Sequence, residues 1–201
     1  EHLQSLYRDL EARVSLKTSE LEEKRERLQA LYDVTTLAAD ATTLRELAGG
    51  FAQRVARVAR ADGVAVRWVD EDSDDYVLLA CEGLPVAMAK GEQCVHAGRC
   101  FCGSPAAAPA ARTIAVVDVR PLGVKHCANA GYASIVSLPI RLHDRRMGEV
   151  DLFFHANVTT TPAERSLLEA LVAHVAGAME NLRLASLEKE SAVAQERAFI
   201  A

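Results

Sequence analysis

Apolar residues over the first thirty positions recur in alternating steps of four and three. Leu3, Tyr7, Leu10, Val14, Leu21, Leu28 and Leu31 lie on this seam, and Lys17 and Lys24 complete it. The rhythm is the heptad of a coiled coil. It predicts a helix over residues 1–34, with Tyr7, Val14, Leu21 and Leu28 at a and Leu3, Leu10, Lys17, Lys24 and Leu31 at d. Charged residues ring the other faces, so the seam is expected to pair with a second copy in a parallel homodimer. Lys17 and Lys24 occupy consecutive d positions, where each must snorkel out of the interface. The middle of the coil is therefore weak, as suits a helix that shifts register.

The pattern restarts after Asp40-Ala41. Thr43 and Glu46 have the spacing of a capping box, and Leu44, Leu47, Phe51, Val55 and Val58 give a broad apolar face. A helix lying on a sheet is predicted up to about residue 60. Residues 64–69 and 76–80 then read as a hairpin around the acidic turn 70–75. That turn lacks the glycine and the closing glutamate of a calcium loop. Residues 83–111 are rich in Gly, Pro and Ala and read as irregular. A strand is expected at 113–119, a short helix at 124–130, and two strands at 134–142 and 147–155. The last helix opens at Thr161, with Pro162 in its first position and Glu164 completing a capping box. Leu168, Leu171, Val175, Ala178, Leu182 and Ala185 continue it in four-three steps, a second and weaker seam through which the same homodimer is expected to pair. The chain stops within a helical pattern and is expected to be part of a longer protein.

Composition narrows the class. The 201 residues carry a formal charge of −5, with no basic stripe to suggest a nucleic-acid partner. No apolar run is long enough to span a membrane, and the first residues do not form a signal peptide. A cytoplasmic location is expected, in a parent protein that could itself be anchored in the inner membrane. There are five cysteines. In a chain without a secretory signal they point to thiols, a metal site or a redox switch rather than a disulfide framework.

Four of the five, Cys94, Cys100, Cys102 and Cys127, lie within 34 residues. Four thiolates could hold zinc or an iron–sulfur cluster, although the spacing matches neither the usual zinc pairs nor the ferredoxin runs. A redox pair among them is the second reading, and simple packing the third. His96 and His126 are spare ligand candidates, while Cys81 reads as core. The four cysteines are expected to converge under the irregular segment. No catalytic residue is assigned: Cys127 beside His126 is adjacency in sequence, not an activated pair, and no nucleotide-binding or hydrolase motif is present.

The order of elements is helix, two strands, insert, strand, short helix, two strands, long helix. It resembles that of a GAF domain, and 131–140 (GYASIVSLPI) and 146–152 (RMGEVDL) resemble that family's last two strands. The resemblance implies an α+β fold, an antiparallel sheet with helices, flanked by long coiled-coil helices. It implies a coiled-coil helix at 1–34, a sensor domain at 35–182 and an exit helix at 183–201. A narrower resemblance is to nitrate/nitrite sensor histidine kinases of the NarX/NarQ type. It is carried by 28–34 (LQALYDV), the cysteine segments 98–103 and 125–128, and 195–201 (QERAFIA). That resemblance implies a signal-transmitting module of a two-component kinase, upstream of a kinase core that this segment lacks. The segment is then no enzyme. A small-ligand module with structural cysteines and a thiol enzyme on the same scaffold are the alternatives.

Overall fold

Six short runs of alternating side chains pair into one antiparallel sheet, and two long helices leave it. The computed structural model describes residues 2–70, 73, 75–96, 111–116, 126–143 and 145–200. In chain order the elements are α1 (His2–Asp40), α2 (Leu44–Ala59), β1 (Gly63–Val69), β2 (Tyr76–Glu82), α3 (Val86–Gly91) and β3 (Cys94–Val95). They are followed by β4 (Arg112–Ala115), α4 (His126–Asn129), β5 (Ser134–Leu142), β6 (Arg145–Phe154) and α5 (Pro162–Ile200). The strand order is β3-β2-β1-β6-β5-β4. Among the described residues every strand pairing is antiparallel. The α+β architecture with long terminal helices is the one expected.

Local chemistry sets the helix ends. Thr43 caps α2 by accepting from the Glu46 backbone N–H at 3.2 Å, and the Glu46 carboxylate reaches back to accept from the Thr42 N–H and hydroxyl, both at 2.9 Å. Both Glu46 and Glu164 are held below the usual carboxylate range, first by backbone hydrogen bonds, from Thr42 and Thr161 respectively. At α5 the box is reciprocal: Thr161 Oγ1 accepts from the Glu164 N–H at 3.2 Å, and Glu164 Oε2 accepts from the Thr161 N–H at 2.8 Å. Arg60 ends α2 in the left-handed region at φ 52, its N–H bonded back to Ala56 and Arg57.

The sheet separates two cores. On one face α2, α5 and the end of α1 cover Val64, Val66, Trp68, Val136, Leu138, Val150 and Leu152. Ala30 and Val34 of α1 sit in the same cluster as Val175 and Met179 of α5. The expected boundary at 34/35 therefore falls inside one continuous helix; what changes near Ala30 is burial. Before that point Tyr7, Leu10, Val14, Leu21 and Leu28 are all 57–68% exposed. On the other face α3 and α4 contribute Met88 and Cys127 to a smaller cluster with Ala65, Val69, Tyr76, Val95, Ile135 and Phe153.

Several boundaries differ from expectation. Within 83–111 the segment forms α3 and β3, because Met88 and Val95 find apolar partners that no local pattern announces. The described part of the strand expected at 113–119 is Arg112–Ala115. The strand expected from residue 147 begins at Arg145, since Leu142 and Arg145 already pair across the hairpin. Gly148 is needed on β6: a Cβ there would lie 2.0 Å from the Arg67 carbonyl oxygen of β1.

Candidate functional site

Alternation in the central strands places a charged group where an apolar one would be routine. Val66 and Trp68 of β1 face the helix-covered core, so Arg67 points to the other face, fully buried. On β6 the same alternation turns Glu149 and Asp151 to that face, between Val150 and Leu152 of the first core. Register finishes the arrangement. Arg67 lies opposite Glu149, and Asp151 lies opposite Ser137 of β5. The Arg67 guanidinium donates to the Asp151 carboxylate and to Glu92, which follows α3. Glu92, Ser137, Glu149 and Asp151 are all buried.

Three carboxyl groups thus surround one guanidinium away from water. Glu149 is pushed well above the ordinary glutamate range, first by burial and then by the Asp151 charge, while Arg67 and Arg112 pull it back. Asp151 is also raised by burial, opposed by Arg67 and by hydrogen bonds from Ser137 and Glu149. Among the described residues, Glu149 Oε1 and Asp151 Oδ1 are buried acceptors that meet no hydrogen-bond donor. Such an oxygen calls for a proton or an incoming donor.

The raised value has a consequence for stability. A carboxyl whose folded pKa lies above its unfolded one binds more protons folded than unfolded. Its contribution is present at low pH and is lost as pH rises from about the ordinary glutamate value through the raised one. Glu149→Gln keeps the side chain neutral throughout. The unfolding free energy of Glu149→Gln minus that of the unchanged protein should therefore grow from about pH 4.5 upward and level off above the folded pKa of Glu149. Urea titrations across pH check this, and a pH-independent difference would refute it.

A second polar group sits on the outer edge. Cys94 and His96 are two apart on β3 and just beyond it, and Asp75 immediately precedes β2. His96 Nδ1 lies 2.7 Å from Asp75 Oδ2, and Cys94 Sγ donates to the same oxygen at 3.9 Å. The Cys94 thiol is raised by partial burial and by the Asp75 and Asp70 charges.

The sequence candidates separate accordingly. Cys94 joins His96 and Asp75, not Cys127. Val95, the next residue along β3, belongs to the inner cluster with Cys127, so strand alternation turns Cys94 outward. Cys127 is buried on α4, and Cys81 is exposed near the end of β2 rather than in the core. The His126 ring packs on α3: a Cβ on Gly91 would meet it at 2.5 Å. Cys100 and Cys102, and with them the convergence of four thiols, lie outside the described residues. Lys17 and Lys24 are exposed on α1, Lys17 paired with Glu20 at 2.7 Å. Sequence reasoning missed Arg67, Glu92, Glu149, Asp151 and Asp75. The available signal was an arginine between apolar residues of one strand and carboxylates two apart on another, which only the strand pairing brings together.

Comparison with known proteins agrees with this geometry. The model of the GAF domain family matches residues 43–179. Among solved structures, the chain is similar to the GAF domain of a phosphoenolpyruvate-protein phosphotransferase from Coxiella burnetii, at 20% identity and TM-score 0.68, over 80% of this chain and 96% of that one. It is similar to free methionine-R-sulfoxide reductase from Neisseria meningitidis, at 19% identity and TM-score 0.65, over 79% and 91%. A domain assigned to a two-component sensor histidine kinase of Sinorhizobium meliloti 1021 matches at 13% identity and TM-score 0.60, over 74% and 99%. No curated protein matches the chain.

Proposed function

The chain belongs to the GAF domain family, and from that premise we propose that it is the sensory and signal-transmitting module of a two-component histidine kinase. The observation that carries this reading is the placing of the two long helices. The end of α1 and the first half of α5 share one core on the sheet face opposite the buried Arg67 cluster. Asp151 faces that cluster while Val150 and Leu152 on either side pack under the helices. A change of state at the cluster would be felt within one residue by the helix-bearing core. It would bias the helices only if the two helix arrangements differ in affinity for the ligand.

The ligand we assign is a small molecule bearing hydrogen-bond donors, preferably cationic. Glu149 Oε1 and Asp151 Oδ1 offer it acceptors. Two buried acceptors suit such a ligand better than nitrate or nitrite, which bring only acceptors of their own. If the parent is a nitrate/nitrite sensor kinase, as residues 28–34 and 195–201 suggest, this module adds a second input to the anion sensed elsewhere. The module transmits and does not itself catalyse. Among the described residues no helix is long and apolar enough to cross a membrane, and we place the module on the cytoplasmic side of its parent.

A fusion of residues 1–201 to a dimerisation and ATP-binding kinase core tests the reading. Asp151→Asn, and separately a three-residue insertion after Ser191 that shifts the heptad phase, should each change autophosphorylation about 5-fold or more, the lower end of ordinary coupling. Equal activity in all three folded fusions would refute it.

A further inference from the structure

The antiparallel register of β2 and β3 builds a donor set on the outside of the sheet. Tyr76 pairs with Val95 and Val77 with Cys94. Extended by one residue, the same register sets Asp75 opposite His96. Tyr76 and Val95 both point into the inner core, so Asp75, Cys94 and His96 share the opposite face. One ligand atom from each, a carboxylate oxygen, a sulfur and a ring nitrogen, lies within 4.8 Å of the others. We propose that Asp75, Cys94 and His96 form a zinc site at the edge of the sheet, with its fourth position open to water.

The donor chemistry selects the ion. A thiolate, an imidazole and a carboxylate are the three zinc ligand types, and three protein ligands with one solvent position make a standard open tetrahedral site. A hard ion such as magnesium or calcium would ask for oxygen throughout. The geometry needs little movement. Ligand atoms on a tetrahedral zinc stand roughly 3.3–3.6 Å apart, given bonds of about 2.0–2.3 Å. The Asp75–His96 contact of 2.7 Å must open slightly and the Asp75–Cys94 contact of 3.9 Å must close slightly. Binding releases the Cys94 proton to solvent and leaves the thiolate on the metal, while His96 gives up its hydrogen bond to Asp75 and ligates as a neutral imidazole with its proton on the other ring nitrogen.

The surroundings favour a cation. Asp70 adds a second negative charge close enough to be felt at Cys94. Among the described residues no lysine or arginine pairs with Asp75; its partners are His96 and Cys94. The His96 side chain is 58% exposed and that of Asp75 15% exposed, so an ion has an entry path and one partly sheltered ligand. The site ties the start of β2 to the end of a two-residue edge strand, where backbone pairing alone holds little. It requires neither Cys100 nor Cys102, and Cys127 faces the other side of the sheet.

Metal titration of the full 201-residue chain decides the matter. The apo protein, prepared under reducing conditions, is titrated with cobalt(II) as a spectroscopic probe and with zinc against a chromogenic chelator. One equivalent should bind, with a thiolate-to-cobalt band and the visible bands of tetrahedral cobalt. Cys94→Ser should remove the thiolate band. Asp75→Asn and His96→Ala should each weaken zinc by about 100-fold or more, the upper end of what losing even an outer partner costs. Cys81→Ser should leave binding unchanged. Circular dichroism confirms that each variant is folded. The proposal is overturned if the chain binds no stoichiometric metal, or if folded Asp75→Asn and His96→Ala bind zinc as the unchanged chain does.

Discussion

Arg67→Ala should destabilise the protein by about 3–5 kcal/mol, the cost of removing one partner from a buried ion pair. Arg67 is fully buried and its guanidinium bridges Asp151 of β6 and Glu92 after α3. Without it, two carboxylates lose their donor and a third, Glu149, loses the positive charge that offsets its burial. Domains of this kind have a total stability of only about 5–15 kcal/mol, so the loss would be visible as a large drop in the urea midpoint. Arg67→Lys should recover little, because a single ammonium does not reproduce a planar fork that reaches two carboxylates on different elements. Arg67→Met combined with Asp151→Leu and Glu92→Leu should recover much of the loss, since a buried ionic set exchanged for apolar volume is often neutral. That triple variant separates stability from function: it should fold and yet fail to bind the donor-bearing ligand. A loss of less than about 1 kcal/mol for Arg67→Ala would mean that the cluster is solvated and that the ionic description is wrong.

What the sequence disclosed follows from the range of the interactions involved. Capping boxes at Thr43 and Thr161 act over three residues, so both helix starts were legible. Strand β5 was placed at its observed bounds, because the alternation of Ile135, Val136, Ser137, Leu138 and Ile140 is local. Elements α3 and β3 were not legible. A six-residue helix and a two-residue strand have too little periodicity of their own, and exist because Met88 and Val95 meet a core assembled from residues far away in sequence. The polar cluster was hidden for the same reason. Arg67 and Asp151 are 84 positions apart, and Arg67 and Glu92 are 25 apart. Four cysteines in one stretch drew attention to thiol chemistry, yet strand alternation sends Cys94 outward while α4 buries Cys127. Asp75 belongs by sequence to the acidic turn, and becomes a neighbour of Cys94 and His96 only once β2 and β3 are in register.

Lys17→Leu together with Lys24→Leu should tighten self-association by about 100-fold or more. The premise is that α1 pairs with its own copy in parallel, and the exposure of its seam motivates that premise. Tyr7, Leu10, Val14, Leu21 and Leu28 lie 57–68% exposed on a helix whose only buried apolar residues among those described are Ala30 and Val34. Soluble chains seldom leave five such side chains in line without a partner. In a parallel pair each lysine meets its own copy, so the two d positions contribute repulsion where leucine would contribute burial. Fully burying a leucine is worth about 1.5–3 kcal/mol, and four are added per dimer. Allowing half of that for incomplete burial and lost lysine contacts, including the Lys17–Glu20 pair, leaves about 3 kcal/mol or more. That is roughly two decades in dissociation constant. Sedimentation equilibrium of the unchanged and doubly substituted chains measures it directly. In a kinase fusion the stiffened coil should also hold one register, so the response to Asp151→Asn should shrink although the site is untouched. An unchanged dissociation constant, or a chain that stays monomeric at tens of micromolar with both leucines in place, would show that the seam serves some surface other than its own copy.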